Sequence, residues 1–582
     1  MIYFLNKSYL TMDRALRLLE KGYFPSQLPP PFHTEDLALH HEQLYTKWFT
    51  SQKPPKTGGK KIPKAPKSKL ESFSVARAGH KRRAISLPNP VAQTYLVHAL
   101  IPHWGKLVAL YRKSRLSVSH PRFIKSGIRA TTIPTMQHLY DKKILMSAGY
   151  RFFLKTDISR FFPTIYTHSI PWALHGKTVA KKNRGLTTKF FGNLFDLAFR
   201  QAQDEQTIGI PIGPDTSHMI AEAIATAIDI ALNSKLKDWP PGFRYVDDYY
   251  LFFKKSSDAE SALAALMKCL QDFELQINFE KTKISSIQDV MDDYWTHQLT
   301  NINISNDVAK QKSNINQFFE LAKKAAKANP DESVMTYAVK RLGSTVIHVD
   351  NWSCLEAHLC HTAMGYPNSL QTIARLLTTY KNIGFPLNKD RLSRLVNSII
   401  EDHVDLNHHS EVAWCLWICK DLELEVTSNN VDALAIMHSS VCALLLMDLD
   451  NLGLTAKKPT NTFWKKLENQ SSLFDDLWLL SYEAGIKGWA AFGNAHISID
   501  PCFNELKIRD VSFYSTLKNL TPIFHLKENI KEIYNDRLLD LFKEKNYQDL
   551  FEFEKEEISY ESADVSQFFA IPNPESRDEI PF

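Results

Sequence analysis

Phe243-Arg244-Tyr245-Val246-Asp247-Asp248-Tyr249-Tyr250-Leu251-Phe252-Phe253 sets two adjacent carboxylates between two apolar, aromatic, β-prone runs, just after Pro240, Pro241 and Gly242. The pattern predicts a β-hairpin with Asp247 and Asp248 at its tip. Neighbouring aspartates in a tight turn repel each other and want a counter-ion. Mg²⁺ suits, because it is held by one or two carboxylates plus substrate phosphates. By itself the Asp-Asp pair is equally well explained as a solvated turn. Asp292-Asp293 repeats the dipeptide without flanking β-runs and reads as surface.

A second acid-bearing strand lies upstream. Phe152-Phe153-Leu154-Lys155-Thr156-Asp157-Ile158-Ser159-Arg160-Phe161-Phe162-Pro163 is an apolar strand ending in Asp157, then a turn into a helix. A two-metal site needs acids from separate strand ends, with the ions about 4 Å apart. Asp157 with Asp247 and Asp248 meets that need. Between them stands Gly209-Ile210-Pro211-Ile212-Gly213-Pro214-Asp215-Thr216-Ser217-His218, a Gly/Pro loop before a helix-prone run from Met219 to Leu232.

This order of strand acid, Gly/Pro loop with helix, and Tyr-Val-Asp-Asp hairpin resembles the palm of the reverse transcriptase family, from about residue 70 to 300. The resemblance implies two Mg²⁺ ions, with Mn²⁺ as a substitute, bound by Asp157, Asp247 and Asp248, with Ile158 lending only its backbone. It implies deoxynucleoside triphosphates as substrates. Phe162 occupies the place of the family's aromatic sugar gate, against a plain reading as a core Phe. Gly213 of the loop is placed at the nucleotide. Ile277-Asn278-Phe279-Glu280-Lys281-Thr282-Lys283-Ile284 resembles the family's next motif, where a lysine near the leaving pyrophosphate donates charge or a proton. Lys281 is the first choice for it and Lys283 the second.

Ahead of the palm, Phe73–Arg77 and Arg83–Leu87 alternate around a basic tip and predict a second hairpin. A helix is expected from Val91 to about Leu110. In the family, fingers present cations here to the triphosphate. Lys81, Arg82 and Arg83 supply the charge; neighbours on a strand face opposite ways, so the pattern leaves open which points inward. Arg129 is a second candidate, equally readable as surface.

The remaining chain is helical in pattern. Residues 1 to about 48 read as helices broken by Pro25 to Pro31. A Lys/Pro/Gly/Ser stretch from Ser51 to Lys69 reads as a mobile linker or a nucleic-acid-contacting loop. Beyond Asn301, helical runs over Ile315–Ala328, Leu370–Tyr380, Arg391–Glu401, Val412–Leu422 and Val431–Met447 recur at roughly forty residues. They fit an α-solenoid of irregular, HEAT-like helical hairpins, with a compact bundle as the alternative. Cys354, His358, Cys360 and His361, and Cys415 with Cys419, miss zinc-site spacing and read as core. The expected class is therefore α+β: residues 1–69 an N-terminal helical segment and basic linker, 70–149 fingers, 150–300 palm, 301–551 an all-α repeat domain, and 552–582 an acidic tail.

With 582 residues the chain exceeds one core, and 44% hydrophobic with 23% charged residues describes a soluble globular protein. A net charge of +6 is mild, and seven scattered cysteines argue for reduced thiols in the cytoplasm. No signal peptide is read at Met1–Lys7, and no apolar run reaches membrane-spanning length.

Three features narrow the resemblance. The family's Pro-Gln-Gly and Ser-Pro are replaced by Pro211-Ile212-Gly213 and Ser217-His218. No RNase H-like or integrase-like acidic cluster is seen. A long helical region replaces the thumb. Together these are similar to the bacterial abortive-infection reverse transcriptases of the AbiK/AbiA kind. That likeness implies antiphage defence, homo-oligomeric assembly, and synthesis of single-stranded DNA without template or nucleic-acid primer, the product joined covalently to a Tyr. Tyr23, Tyr45, Tyr547 and Tyr560 are the candidates for it. A conventional RNA-templated enzyme working with a structured non-coding RNA is the alternative; a non-catalytic nucleic-acid-binding scaffold is the second.

Overall fold

The computed structural model describes residues 14–50, 63–125, 127–134, 136–289, 294–343 and 345–520. Asp292–Asp293, residues 51–62, and everything beyond Leu520, including Tyr547, Tyr560 and the acidic tail, lie outside the described residues.

Among the described residues eight strands are defined, in three sheets. β1 (Glu71–Ala76) and β2 (Arg82–Leu87) form an antiparallel hairpin, and β3 (Arg122–Phe123) pairs with β4 (Thr131–Thr132). The third sheet runs β6 (Gly242–Tyr245), β7 (Asp248–Phe253), β5 (Phe152–Asp157), β8 (Lys283–Ser286), each strand antiparallel to its neighbours. Its alternation places Phe153, Phe243 and Phe252 with Leu139 on one face. Leu154, Tyr249 and Leu251 enter the main core on the other. There the helix Ser256–Asp272 packs on β5 and β7 and against the helix Asp215–Leu236.

The hairpin expected around the two aspartates is present, with Val246 and Asp247 as its turn and Asp248 already the first residue of β7. Val246 sits at φ 56°. A β-branched residue there is strained by on the order of 1–3 kcal/mol. The turn is held by the Val246 amide donating to Ser119 Oγ at 2.6 Å and by Arg244 donating to the Val246 carbonyl at 2.7 Å.

Two helix expectations are corrected. The run from Val91 to Leu110 is two helices, Pro90–Leu100 and Trp104–Tyr111, because Pro102 lacks the amide a continuous helix needs. Val431–Met447 is also two, Ser428–Ile436 and Ser440–Asn451, where Ser439 caps the second by accepting from the Cys442 amide. The described end of the basic stretch is docked: the Ser68 amide donates to the Gln201 carbonyl, and Lys67 and Lys69 pair with Asp204 and Asp475.

From residue 294 to 520 the described residues are mainly helical. Val308–Ala328 packs on Val334–Leu342 and Trp352–Gly365. Val334–Leu342 meets Leu370–Asn382, Trp352–Gly365 meets Lys389–Val404, and Leu370–Asn382 meets His409–Leu422. Most helices thus touch the next but one in sequence, as stacked helix pairs do. His409–Leu422 is buried along most of its length. Cys415 and Cys419 lie in its core, and His358 stacks on Phe319 with centroids 4.5 Å apart.

The helical half also clasps the β1–β2 hairpin. The Ser74 and Ala76 amides on the outer edge of β1 donate to His409 Nδ1 at 3.2 Å and Ser410 Oγ at 3.0 Å. Buried Glu71 accepts from the Ser440 amide at 2.7 Å, while its other oxygen has no partner. Burial pushes this carboxyl up to about 8. The folded protein therefore holds a proton that the unfolded chain loses above about 4.5, and stability falls as pH rises between those values. Glu71→Gln should remove that loss. Urea midpoints of variant and parent should diverge from pH 5.5 to 7.5 in the variant's favour, by about 1 kcal/mol per pH unit. Parallel midpoints would show Glu71 ionised in the fold.

Candidate active site

β5 and β7 pair in register so that Asp157 stands opposite Asp248. Beyond them, the Ile158 amide donates to the Asp247 carbonyl at 3.2 Å. Three carboxylates from two strand ends thus share one place. Asp157 is buried, and its Oδ1 has no hydrogen-bond partner. Burial, and after it the Asp157 charge, raises the Asp247 carboxyl. Asp248 is pushed up to about 6 by burial, then by Asp247 and Asp157. This is the repulsion that a divalent cation relieves. All donors are hard oxygens, one of them unpartnered, so the set fits Mg²⁺ or Mn²⁺.

The segment after Ile277 is pinned to the same strand end. The Asn278 amide donates to the Asp157 carbonyl at 2.9 Å, and the Thr156 and Thr282 hydroxyls meet at 2.7 Å. This brings Lys281 Nζ within 2.7 Å of Asp157 Oδ2, with the side chain 61% exposed and so accessible to a substrate. Lys283 lies on the edge strand β8 and is exposed.

The basic hairpin divides its charges. Arg83 is exposed and lies within electrostatic reach of Asp247: its guanidinium is held below its ordinary value by burial and by Arg77, with Asp247 opposing. Arg82 faces away, which corrects its expected place at the nucleotide. Its guanidinium grips Glu411 in the helical half, at 2.6 and 2.9 Å, and donates to Ser74 Oγ. Lys81 pairs with Asp331 at 2.9 Å, both side chains exposed. The alternation of a strand decides this, since Arg82 and Arg83 must point to opposite faces.

In the Gly/Pro loop, Gly213 adopts φ 129°, and a Cβ there would lie 2.8 Å from Pro25. Its carbonyl accepts from Arg129 at 2.7 Å. Arg129 also pairs with Asp215 and donates to the Phe24 carbonyl, so it is a tie for the loop and neither a free surface cation nor a ligand. Ile212 is half-buried and offers its carbonyl to the Ser86 amide at 2.8 Å. Phe162 is half-buried, edge-on to the ring of His218 at 5.1 Å. Burial holds that imidazole below its ordinary value. His218 was not expected at the site; the signal was its departure from the family's Ser-Pro.

Arg244 was missed as well. It is fully buried in β6 and pairs with Asp229 and Glu222, each at 2.9 Å. Tyr249 and Ser114 hydroxyls donate to the same Asp229. Two acids seven apart on one face of an otherwise apolar helix, Glu222 and Asp229, were the sequence clue.

Tyr23 is buried with its hydroxyl donating to the Pro88 carbonyl, which corrects its candidacy as a mobile donor. Tyr45 stacks on His98 at 4.1 Å. A separate grouping, His403, His408 and Glu411, brings its ligand atoms within 4.8 Å of one another, but Glu411 is already gripped by Arg82.

Against known families, residues 91–336 match the profile described as reverse transcriptase (RNA-dependent DNA polymerase). The chain carries a reverse transcriptase domain. A domain of this kind is that of the RNA-directed DNA polymerases, which are nucleotidyltransferases. No curated protein matches the chain. Among solved structures, apo telomerase from Candida tropicalis aligns at 12% identity and TM-score 0.30, over 74% of this chain and 76% of that one. A form of it truncated from the C-terminal domain aligns at 12% and 0.28, over 43% and 55%. Telomerase from Candida albicans, in complex with a TWJ fragment of telomeric RNA, aligns at 12% and 0.28, over 66% and 69%.

Proposed function

We propose that this reverse transcriptase domain adds deoxynucleotides to a growing strand at the site formed by Asp157, Asp247 and Asp248. The observation that carries the reading is the convergence of these carboxylates with Lys281 and Arg83, one carboxylate oxygen being buried without a partner. Asp157, Asp247, Asp248 and the Ile158 backbone would hold the cations. When bound, Mg²⁺ or Mn²⁺ supplies the Lewis acidity that activates the attacking hydroxyl and balances the leaving pyrophosphate. Arg83 meets the triphosphate from the hairpin, because a planar guanidinium suits phosphate oxygens. Lys281 releases Asp157 as the nucleotide enters and neutralises charge on the departing pyrophosphate.

Phe162 is the sugar gate in this reading. Its ring takes the space a 2′-hydroxyl would need. Phe162→Ala should raise ribonucleotide use relative to deoxynucleotide use on the order of tenfold, measured by competing rNTP and dNTP incorporation. An unchanged ratio would make Phe162 a packing residue alone.

The finer reading follows the abortive-infection resemblance: an antiphage-defence enzyme of the cytoplasm, assembled from several copies, making DNA without template and from a protein hydroxyl. The fingers, palm and HEAT-like repeat divisions belong to the same proposal, supported by the next-but-one packing of the helices. Ile212 supports template independence, since an aliphatic side chain cannot make the hydrogen bond of the family's Gln. Incubation with dNTPs and Mg²⁺, with and without an RNA template, tests this. Product formed from dNTPs alone, retained on protein through boiling in detergent and released by protease, is expected. Faithful copying of the RNA into free DNA would establish the conventional reading instead.

A further inference from the structure

Between Ile158 and Phe195 the chain contains no Asp or Glu, yet it carries Arg160, Lys177, Lys181, Lys182, Arg184 and Lys189. The stretch leaves the carboxylate site through Phe162, then forms the helices Ser169–His175 and Lys177–Lys182 before entering Gly192–Ala202. Arg160, Lys181, Lys182, Arg184 and Lys189 are exposed. None of the six has a carboxylate partner among the described residues. The first acid beyond, Asp196, is occupied by His168 and Arg200.

Rings and carbonyls hold four of these cations instead. Lys177 and Lys181 lie over the Trp172 ring at 4.3 and 5.5 Å, and Lys189 over Phe190 at 5.6 Å. Lys177 donates to the Asp272 carbonyl and Arg184 to the Lys181 carbonyl. Lys106, from the neighbouring helix Trp104–Tyr111, extends the strip over Phe191 at 4.7 Å. The field is felt nearby: after burial, Lys106 is the next cause holding His103 and His175 below their ordinary values. Cation–π contacts and carbonyls orient a lysine without cancelling its charge. An uncompensated strip of this kind on a soluble protein is a surface for a polyanion.

We infer that this strip binds the phosphodiester backbone of single-stranded nucleic acid, carrying the strand away from or toward the carboxylate site. Its contiguity in the chain with Asp157 and Phe162 favours a strand over a compact anion, and the half-buried Phe190 at its rim offers a ring edge to a base. The strand's route rests on the polymerase reading; the binding itself does not. The test uses the full chain carrying Asp247→Asn, so that binding is scored without synthesis. Fluorescent oligothymidylate and oligouridylate are titrated by anisotropy at several salt concentrations.

Lys181→Glu/Lys182→Glu/Arg184→Glu should weaken binding at least about tenfold and lower the slope of log K on log salt by about 2, at roughly 0.7 per phosphate contact. The charge-keeping Lys181→Arg/Lys182→Arg/Arg184→Lys variant should keep both. Tighter oligothymidylate binding assigns the strip to a DNA strand, tighter oligouridylate to an RNA strand, and equality to the backbone of either. In the otherwise wild-type protein, the triple Glu variant should make shorter products. An unaltered affinity and slope, or loss of affinity equally in the charge-keeping variant, would overturn the inference. Near-parental synthesis by the Asp247→Asn background would instead count against the site reading.

Discussion

Asp247→Asn should incorporate nucleotide slower than the parent by on the order of a thousandfold or more, at unchanged fold. The amide keeps the shape of the turn, because Val246 and Asp247 are held there through Ser119, Arg244 and the Ile158 amide, none of which uses the Asp247 carboxylate. What is lost is one of three anionic oxygen donors in a place where burial and like charge already make a cation necessary. The stability of the variant should equal or exceed that of the parent when Mg²⁺ is absent, since one repelling charge is gone. Incorporation by extension assay and unfolding by urea, both on pure protein, separate the two effects. Near-parental incorporation by a folded Asp247→Asn protein would sink the polymerase assignment of this site.

Arg244→Met should be among the most destabilising changes in the domain. The guanidinium is fully buried between Asp229, itself fully buried, and Glu222, and it also donates to the Val246 carbonyl. Removing it leaves two carboxylates uncompensated in the core, a cost of about 3–5 kcal/mol. The denaturant midpoint should fall accordingly, and Arg244→Met/Glu222→Gln/Asp229→Asn should recover part of the loss by removing the stranded charges. An unchanged midpoint for Arg244→Met would mean that water reaches the acids. The single variant should also lose activity beyond its loss of stability, because the strained Val246 turn sets where Asp247 stands.

What could be read from the chain depended on how far apart the cooperating residues lie. Asp157, Asp247 and Asp248 were legible because local alternation marks each strand and the acids sit at strand ends. Lys281 was legible from its motif, and its ion pair to Asp157 needs only the neighbouring strand β8 to bring it in. Arg82 and Arg83 were not separable, since the partner that claims Arg82 is Glu411, in a helix 329 residues away. Arg244 was hidden for the opposite reason. It sits inside the deciding stretch, but the two acids that hold it inward, Glu222 and Asp229, lie on another element. Tyr23 and Arg129 were misjudged because their partners, Pro88 and Asp215, are backbone and side-chain acceptors that no periodicity announces. The break at Met437–Ser439 depends on one capping hydroxyl, a local event that an apolar pattern overrides.

The clasp on β1 has a consequence for the making of the protein. The edge of that strand is closed by His409 and Ser410, and its first residue by Ser440. A ribosome adding roughly 5–20 residues per second releases the hairpin well before those partners exist. For tens of seconds, on that rate, a nascent chain carries an open strand edge whose amides have only water for company. Such an edge is a template for pairing with another nascent chain on the same message. Translation that stalls before His409 would leave it open for good, and the fragment should be found in aggregates or in the grip of a chaperone, while chains completed through Ser440 are not.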